Sequence, residues 1–95
     1  PLIVDNTVAT PYLCRPFEYG ANIITHSTTK YFSGHGQSMG GAVVDGGSFD
    51  WMKHTEKFPS LTTECSGYRG MVFARDCKDA PLAMHNHAVG LRDLG

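Results

Sequence analysis

The chain has 95 residues, of which 41% are hydrophobic and 18% are charged, and its formal net charge is −1 at pH 7. This length suits one small domain, and the composition excludes an intrinsically disordered protein. The nearly balanced charge gives no reason to expect nucleic acid or an anionic membrane as a partner. No apolar run approaches the roughly 18 residues of a transmembrane helix, and no signal-peptide pattern opens the sequence.

The cysteines and histidines bear on the redox compartment of the protein and on whether it binds a metal. Cys14, Cys65 and Cys77 are odd in number and form no C-x-x-C pair. This argues against a disulfide framework and predicts a reducing compartment, the cytoplasm. His85 and His87 are spaced for a strand rather than for one helix face, and no cysteine or carboxylate is grouped with them, so we predict no metal site.

Both ends of the sequence are unusual. The chain begins at Pro1, and residues 91–95 resemble the first turns of a helix that is cut short. Three or four predicted strands are also few for an α/β fold with both sheet faces covered. We therefore expect a piece of a larger protein, and an open reading frame that starts at this proline would contradict that expectation.

The first half of the chain predicts three strands. Residues 1–4 are continuously apolar, which is typical of a strand buried on both faces. Residues 11–19 predict a short helix interrupted at Pro16. Residues 22–26 predict the next strand, and the spacing favours a parallel crossover between these two strands. Residues 39–45 predict a third strand, antiparallel to the second because the connection is too short for a helical crossover.

The second half predicts helices and loops. Residues 49–57 predict a short helix, which Pro59 prevents from continuing. Residues 60–80 carry the Thr, Ser and Gly content of a loop, except for a short apolar segment of uncertain type at 71–74. Residues 80–95 predict one helix with a partial apolar stripe. The stripe consists of Leu82, Val89, Leu91 and Leu94.

Polar residues follow the first two predicted strands. Asp5 follows the first strand, and a segment from Ser27 to Lys30 follows the second. Carboxyl ends of parallel strands share one sheet edge, where ligands of open α/β sheets bind. Hydroxyls and amides there suit a phosphate, and a lysine can neutralise that anion or form a Schiff base with a carbonyl. A helix cap or turn former for Asp5 and a solvated surface charge for Lys30 are the alternatives.

A run of motifs in one register, from residue 2 to about residue 50, carries a family resemblance. The motifs are DNT at 5–7, TPYL at 10–13, RP at 15–16, GA at 20–21, HS at 26–27, TK at 29–30, GH at 34–35 and GG at 40–41. With them the chain resembles the Cys/Met-metabolism family of pyridoxal-phosphate enzymes. CRP at 14–16 and VDGGSFDW at 44–51 are most similar to its O-acetylhomoserine sulfhydrylase branch, whereas the likeness is loose over residues 71–90.

The resemblance implies a fold and an assembly. Residues 1–95 would be the central part of the large mixed-sheet domain of an aspartate-aminotransferase-like, fold type I α/β enzyme. The upstream part and the C-terminal domain would lie outside the chain, so the isolated piece is expected to be inactive. The parent enzyme would be a homotetramer whose active sites are shared across a dimer.

The resemblance also implies pyridoxal 5′-phosphate (PLP) as cofactor and assigns catalytic roles. Lys30 would hold the cofactor as a Schiff base and then act as the base that moves protons between substrate carbons. Asp5 would pair with the protonated pyridine nitrogen, and Thr7 would brace Asp5. Ser27 and Thr29 would alternate on a strand-like stretch, so that both hydroxyls face the cofactor phosphate.

The implied reaction is γ-replacement on O-acetylhomoserine, a small-molecule substrate, with sulfide or a thiol, which gives homocysteine or methionine. Cystathionine γ-synthase or methionine γ-lyase chemistry on the same fold is the nearer alternative. A non-catalytic relic of the fold is another alternative. Intact Asp5 and Lys30 count against the relic, because a chain without the activity has no chemical reason to keep both.

Overall fold

The computed structural model describes all 95 residues, and the chain divides into two compact units, Pro1–Gly46 and Gly47–Gly95. The first unit contains a three-stranded sheet, and the second consists of short helical segments with one isolated β-bridge. None of the helices combines the length and the apolar character that a membrane crossing requires.

The sheet consists of β1 (Ile3–Asp5), β2 (Ile23–Ser27) and β3 (Gly41–Asp45), in that order. β1 is parallel to β2, and Asp5 lies opposite Thr25. β2 is antiparallel to β3. Both predicted strand directions are confirmed, and the first two strands lie within two residues of their predicted bounds.

The prediction that the first strand is buried on both faces is wrong for these 95 residues. Ile3 is 55% exposed, and β1 is an edge strand with β2 as its single neighbour. The central strand β2 carries the core of this unit, where Ile23 and Ile24 are buried. Burial of these aliphatic side chains removes apolar surface from water, which stabilises the fold.

Two short helices connect β1 to β2, where one interrupted helix was predicted. They are α1 (Thr10–Leu13) and a 3₁₀ turn (Pro16–Tyr19). Pro16 starts the second helix, since its fixed φ and missing N–H suit a first helical position. The buried Asn6 fixes this connection by donating its Nδ2 hydrogen to the carbonyl of Cys14 at 2.9 Å.

The second unit is built from short helical segments in succession. They are a 3₁₀ turn (Trp51–His54), α2 (Pro59–Thr62), a 3₁₀ turn (Ser66–Tyr68), α3 (Phe73–Asp76), α4 (Pro81–His85) and π-type turns (Asn86–Asp93). Phe73 is 1% exposed and lies at the centre of this unit, with the rings of Tyr68 and His85 edge-on to it.

Two predictions for residues 49–80 are corrected. The loop predicted from residue 60 is wrong where α2 lies, and the apolar segment of uncertain type at 71–74 contains the start of α3. Pro59 ends the preceding segment and is also the first residue of α2. The backbone N–H at that position of a helix has no intrahelical partner, so proline, which lacks it, is tolerated there. The helix predicted for residues 49–57 is confined to one 3₁₀ turn, Trp51–His54.

The predicted C-terminal helix is present as α4 followed by wider turns, since the backbone stays helical at the junction. Its predicted apolar stripe is wrong in part. Leu91 and Leu94 are exposed, at 59% and 80%, whereas Ala88 and Pro81 are buried. The π-type hydrogen bonding places more residues in each turn than an α-helix does, which shifts the face that a 3.6-residue period predicts.

Candidate functional site

Asp5 is the last residue of β1, and Thr7 orients its carboxylate. The Thr7 hydroxyl donates to Oδ1 of Asp5 at 2.5 Å, and the Thr7 backbone N–H donates to the same oxygen at 3.0 Å. These two bonds, the hydroxyl's first, lower the pKa of Asp5, with a smaller contribution from His26 and against the effect of desolvation. Asp5 is therefore ionised at neutral pH, and its Oδ2 receives no hydrogen bond from the chain.

Thr7 also ties Asp5 to the end of the neighbouring strand. Its Oγ1 accepts a hydrogen bond from the backbone N–H of Ser27 at 2.8 Å. Asp5 and Ser27 therefore lie at one sheet edge, as predicted, with a single hydroxyl between them. The Thr7 hydroxyl is satisfied as donor and as acceptor, so its orientation is fixed.

Lys30 lies in a tight turn that follows β2. The turn (Thr28–Phe32) is helical except at Lys30, whose φ and ψ are −87° and −116°. Gly34 N–H closes the turn by donating to the Lys30 carbonyl at 2.9 Å. The Lys30 side chain is exposed and is absent from the ion pairs Arg15–Glu18, Lys53–Asp50, Arg75–Asp76 and Arg92–Asp93. Its amine is therefore available for chemistry.

The predicted alternation of Ser27 and Thr29 along one strand is wrong. β2 ends at Ser27, and Thr29 lies within the helical turn. The Thr29 hydroxyl accepts a hydrogen bond from Gly40 N–H at 2.9 Å and donates to the Gly40 carbonyl at 3.3 Å. Ser27 and Thr29 remain at the same end of β2, but the backbone does not present their hydroxyls by strand alternation.

Sequence reasoning assigned no role to His26 or Gly40, which both support the lysine turn. His26 is 7% exposed, its Nδ1 has no hydrogen-bond partner, and its ring lies 5.3 Å from that of Phe32 in an edge-on arrangement. Phe32 is the last residue of the turn that carries Lys30. His26 lies two residues after Ile24 on β2 and therefore on the same face of the sheet, and this spacing is the sequence feature that indicates a buried imidazole.

The residues at this edge fit PLP chemically. An ionised carboxylate with a free oxygen suits a protonated ring nitrogen, and an exposed primary amine suits an aldehyde. Hydroxyls and backbone N–H groups at a strand end suit a phosphate.

Comparison with known proteins bears on this arrangement. Residues 1–88 match the family described as Cys/Met metabolism PLP-dependent enzyme. Homocysteine synthase of Schizosaccharomyces pombe is 45% identical over 96 aligned positions, which cover all of this chain and 22% of that protein. O-acetyl-L-homoserine sulfhydrylase of Leptospira meyeri is 43% identical over 103 positions, which cover all of this chain and 23% of that protein. The chain thus spans less than a quarter of these relatives.

A solved structure shares the fold. It is a 2.35 Å crystal structure of a Campylobacter jejuni protein named as an O-acetylhomoserine (thiol)-lyase (metY), and it contains N′-pyridoxyl-lysine-5′-monophosphate. It is 35% identical, with a TM-score of 0.73, over 98% of this chain and 23% of its own. The likeness confirms the predicted α/β class as a piece of fold type I.

Proposed function

This chain belongs to the Cys/Met metabolism family of PLP-dependent enzymes, and on that premise we propose that it is part of a γ-replacement enzyme acting on O-acetylhomoserine. Residues 1–95 would form the central part of the PLP-binding domain of that longer enzyme. The observation that carries the proposal is the edge formed by β1 and β2. There an oriented, ionised Asp5 is the last residue of β1, and the exposed amine of Lys30 follows the adjacent parallel strand β2.

Each side chain at this edge would contact a different part of PLP. Oδ2 of Asp5, which is free of hydrogen bonds within the chain, would face the ring nitrogen. The hydroxyls of Ser27 and Thr29 would donate to the phosphate. Lys30 Nζ would hold the cofactor covalently at its carbonyl carbon.

When bound, PLP supplies an electron sink that stabilises negative charge on a substrate carbon. Lys30 Nζ would take a proton from one substrate carbon and return it to another. Asp5 would keep the neighbouring ring nitrogen protonated, because its own lowered pKa holds it as a carboxylate at neutral pH. Thr7 would fix the position of that carboxylate.

The proposed reaction balances as a substitution at the γ-carbon. The bond between the γ-carbon and the acetate oxygen breaks, acetate leaves, and a bond from the γ-carbon to sulfur forms. Sulfide then gives homocysteine, and methanethiol gives methionine. The names of the relatives from Schizosaccharomyces pombe and Leptospira meyeri support this choice of substrate.

The test is a product assay on the full-length enzyme, incubated with PLP, O-acetylhomoserine and sulfide. We expect homocysteine and acetate in equal amounts. Parallel incubations replace sulfide with cysteine, or supply methionine alone. Cystathionine as the main product, or breakdown of methionine as the faster reaction, would contradict the proposed substrate pair.

We also propose a homotetramer located in the cytoplasm, with small molecules as its only substrates. The family resemblance supports the assembly. Three free cysteines, none in a disulfide, support a reducing compartment. Light scattering of the full-length enzyme tests the assembly, and a stable monomer would contradict it.

A further inference from the structure

Gly40 closes the loop that carries Lys30. Its carbonyl accepts hydrogen bonds from the backbone N–H groups of Thr28 and Thr29, at 3.0 and 3.4 Å. Its own N–H donates to Oγ1 of Thr29 at 2.9 Å, and that hydroxyl lies 3.3 Å from the Gly40 carbonyl. One peptide segment thus holds both residues that precede the lysine, across the base of the loop of residues 30–39.

The absence of a side chain at Gly40 permits this close approach. A Cβ built on Gly40 would lie 2.6 Å from Oγ1 of Thr28 and 4.0 Å from its Cβ. The Thr28 hydroxyl is therefore the single group that excludes a methyl group at this position. Gly40 does not have a positive φ, so crowding by the Thr28 side chain, and not the backbone conformation, is what favours glycine at this position.

The two contacts to the Thr29 hydroxyl differ in kind. Its oxygen is held by the Gly40 N–H at an ordinary hydrogen-bond distance, 2.9 Å. Its proton is directed to the Gly40 carbonyl at 3.3 Å, which is long for a bond between a hydroxyl and a carbonyl. A phosphate oxygen is a stronger acceptor than a carbonyl at this distance. The proton can therefore turn to a phosphate while the Gly40 N–H keeps the Thr29 oxygen in place.

We infer that Gly40 is a positioning residue for the cofactor phosphate: its N–H holds the Thr29 hydroxyl oxygen in place, so that the hydroxyl proton can turn from the Gly40 carbonyl to the phosphate. This inference rests on the proposed function. It assigns to Gly40 an action through Thr29 and predicts that the residue contributes to phosphate recognition and not to recognition of the ring.

A double-mutant cycle on the full-length enzyme tests the inference. Gly40→Ala should weaken binding of PLP about fivefold, the loss of roughly one hydrogen bond, and leave binding of phosphate-free pyridoxal unchanged. Removing the obstructing hydroxyl in Gly40→Ala/Thr28→Ala should restore PLP affinity, and Thr28→Ala completes the cycle. Gly67→Ala is the matched control, because a Cβ there meets nothing within 4 Å. Affinities come from absorbance titration of the apoenzyme.

Three results would overturn the inference. They are wild-type PLP affinity in Gly40→Ala, an equal loss of PLP and pyridoxal affinity, and a double variant that stays as weak as Gly40→Ala. If Gly40→Ala does not fold, the roomier double variant replaces it, and a folded double variant with selective loss of PLP binding would contradict the steric mechanism. Borohydride reduction of the wild-type holoenzyme separates the two proposals, since a missing Lys30 adduct there removes the proposed function itself.

Discussion

The Thr7 hydroxyl lies 2.5 Å from Oδ1 of Asp5 and donates its proton to that oxygen. This bond is the first cause of the lowered pKa of Asp5. The charge of the carboxylate is thus favoured by a neighbour two residues away in the sequence, before any cofactor is bound. A carboxylate that is already oriented loses less freedom on binding a cationic ring nitrogen.

Thr7→Val should raise the pKa of Asp5 toward its ordinary value of 3.8, because the hydroxyl donor is lost while the side-chain shape is kept. The backbone N–H of residue 7 still donates, so part of the lowering should remain. Carbon NMR titration of the Asp5 carboxyl measures the change, and Thr7→Ser is the control that keeps the donor. A pKa in Thr7→Val equal to that of the wild type would show that the hydroxyl does not set it.

Asp5→Asn should separate cofactor attachment from catalysis. The amide can still accept from Thr7, but it carries no charge to hold a ring proton. We expect Lys30 to retain the cofactor and the rate of γ-replacement to fall about hundredfold, the usual scale for one lost electrostatic contact. Steady-state kinetics and mass spectrometry measure the two quantities. Asp79→Asn, the same charge change at an exposed position, should keep the wild-type rate.

The strand directions and the shared edge could be predicted from sequence, since they depend on connection length and on short-range polarity. Asp5 and Thr7 are two residues apart, so their contact was within reach of local reasoning. The sequence predicts Thr29 on a strand because Ser27 and Thr29, two hydroxyl residues, are separated by one residue, as side chains on one strand face are. In the structure β2 ends at Ser27, and the Thr29 hydroxyl is held by Gly40, eleven residues further along, a contact that no local pattern contains.

The helices after Pro59 show a second limit. A proline read as the end of one helix is also suited to begin the next, and the sequence alone does not choose between these roles. The α3 helix has four residues, too few for a periodic apolar pattern to appear. Phe73, the first residue of α3, is 1% exposed, and most of the stability of a short helix comes from such tertiary packing.

Asp76→Asn should lower stability at neutral pH. In the folded state the pKa of Asp76 is lowered from 3.8 to about 2, first by the Arg75 guanidinium and then by the Val72 backbone N–H. A lowered pKa favours the folded state above pH 3.8, and this contribution disappears as the pH falls through about 2.

The melting temperatures of wild type and Asp76→Asn should therefore differ at pH 7 and converge between pH 4 and pH 2, as approximate limits. Thermal denaturation as a function of pH measures this convergence. Asp79→Asn controls for the change in net charge. A difference in melting temperature that stays constant down to about pH 2 would contradict the assignment.

Phe73→Ala should destabilise the second unit by about 3 to 5 kcal/mol, because it removes a fully buried ring and leaves a cavity. Leu94→Ala is the control, since Leu94 is 80% exposed and its loss should change the unfolding free energy by less than about 0.5 kcal/mol. Urea denaturation of the full-length enzyme gives both values. Equal losses in the two variants would show that Phe73 is not the centre of this core.

Borohydride reduction of the full-length holoenzyme, followed by peptide mass spectrometry, tests the central claim most directly. We predict a pyridoxyl-phosphate adduct on Lys30, none on Lys53, Lys57 or Lys78, and no adduct at position 30 in Lys30→Ala. Because reduction fixes the cofactor where its Schiff base forms, the adduct identifies the residue without relying on activity. A folded enzyme saturated with PLP whose Lys30 peptide stays unmodified would contradict the claim.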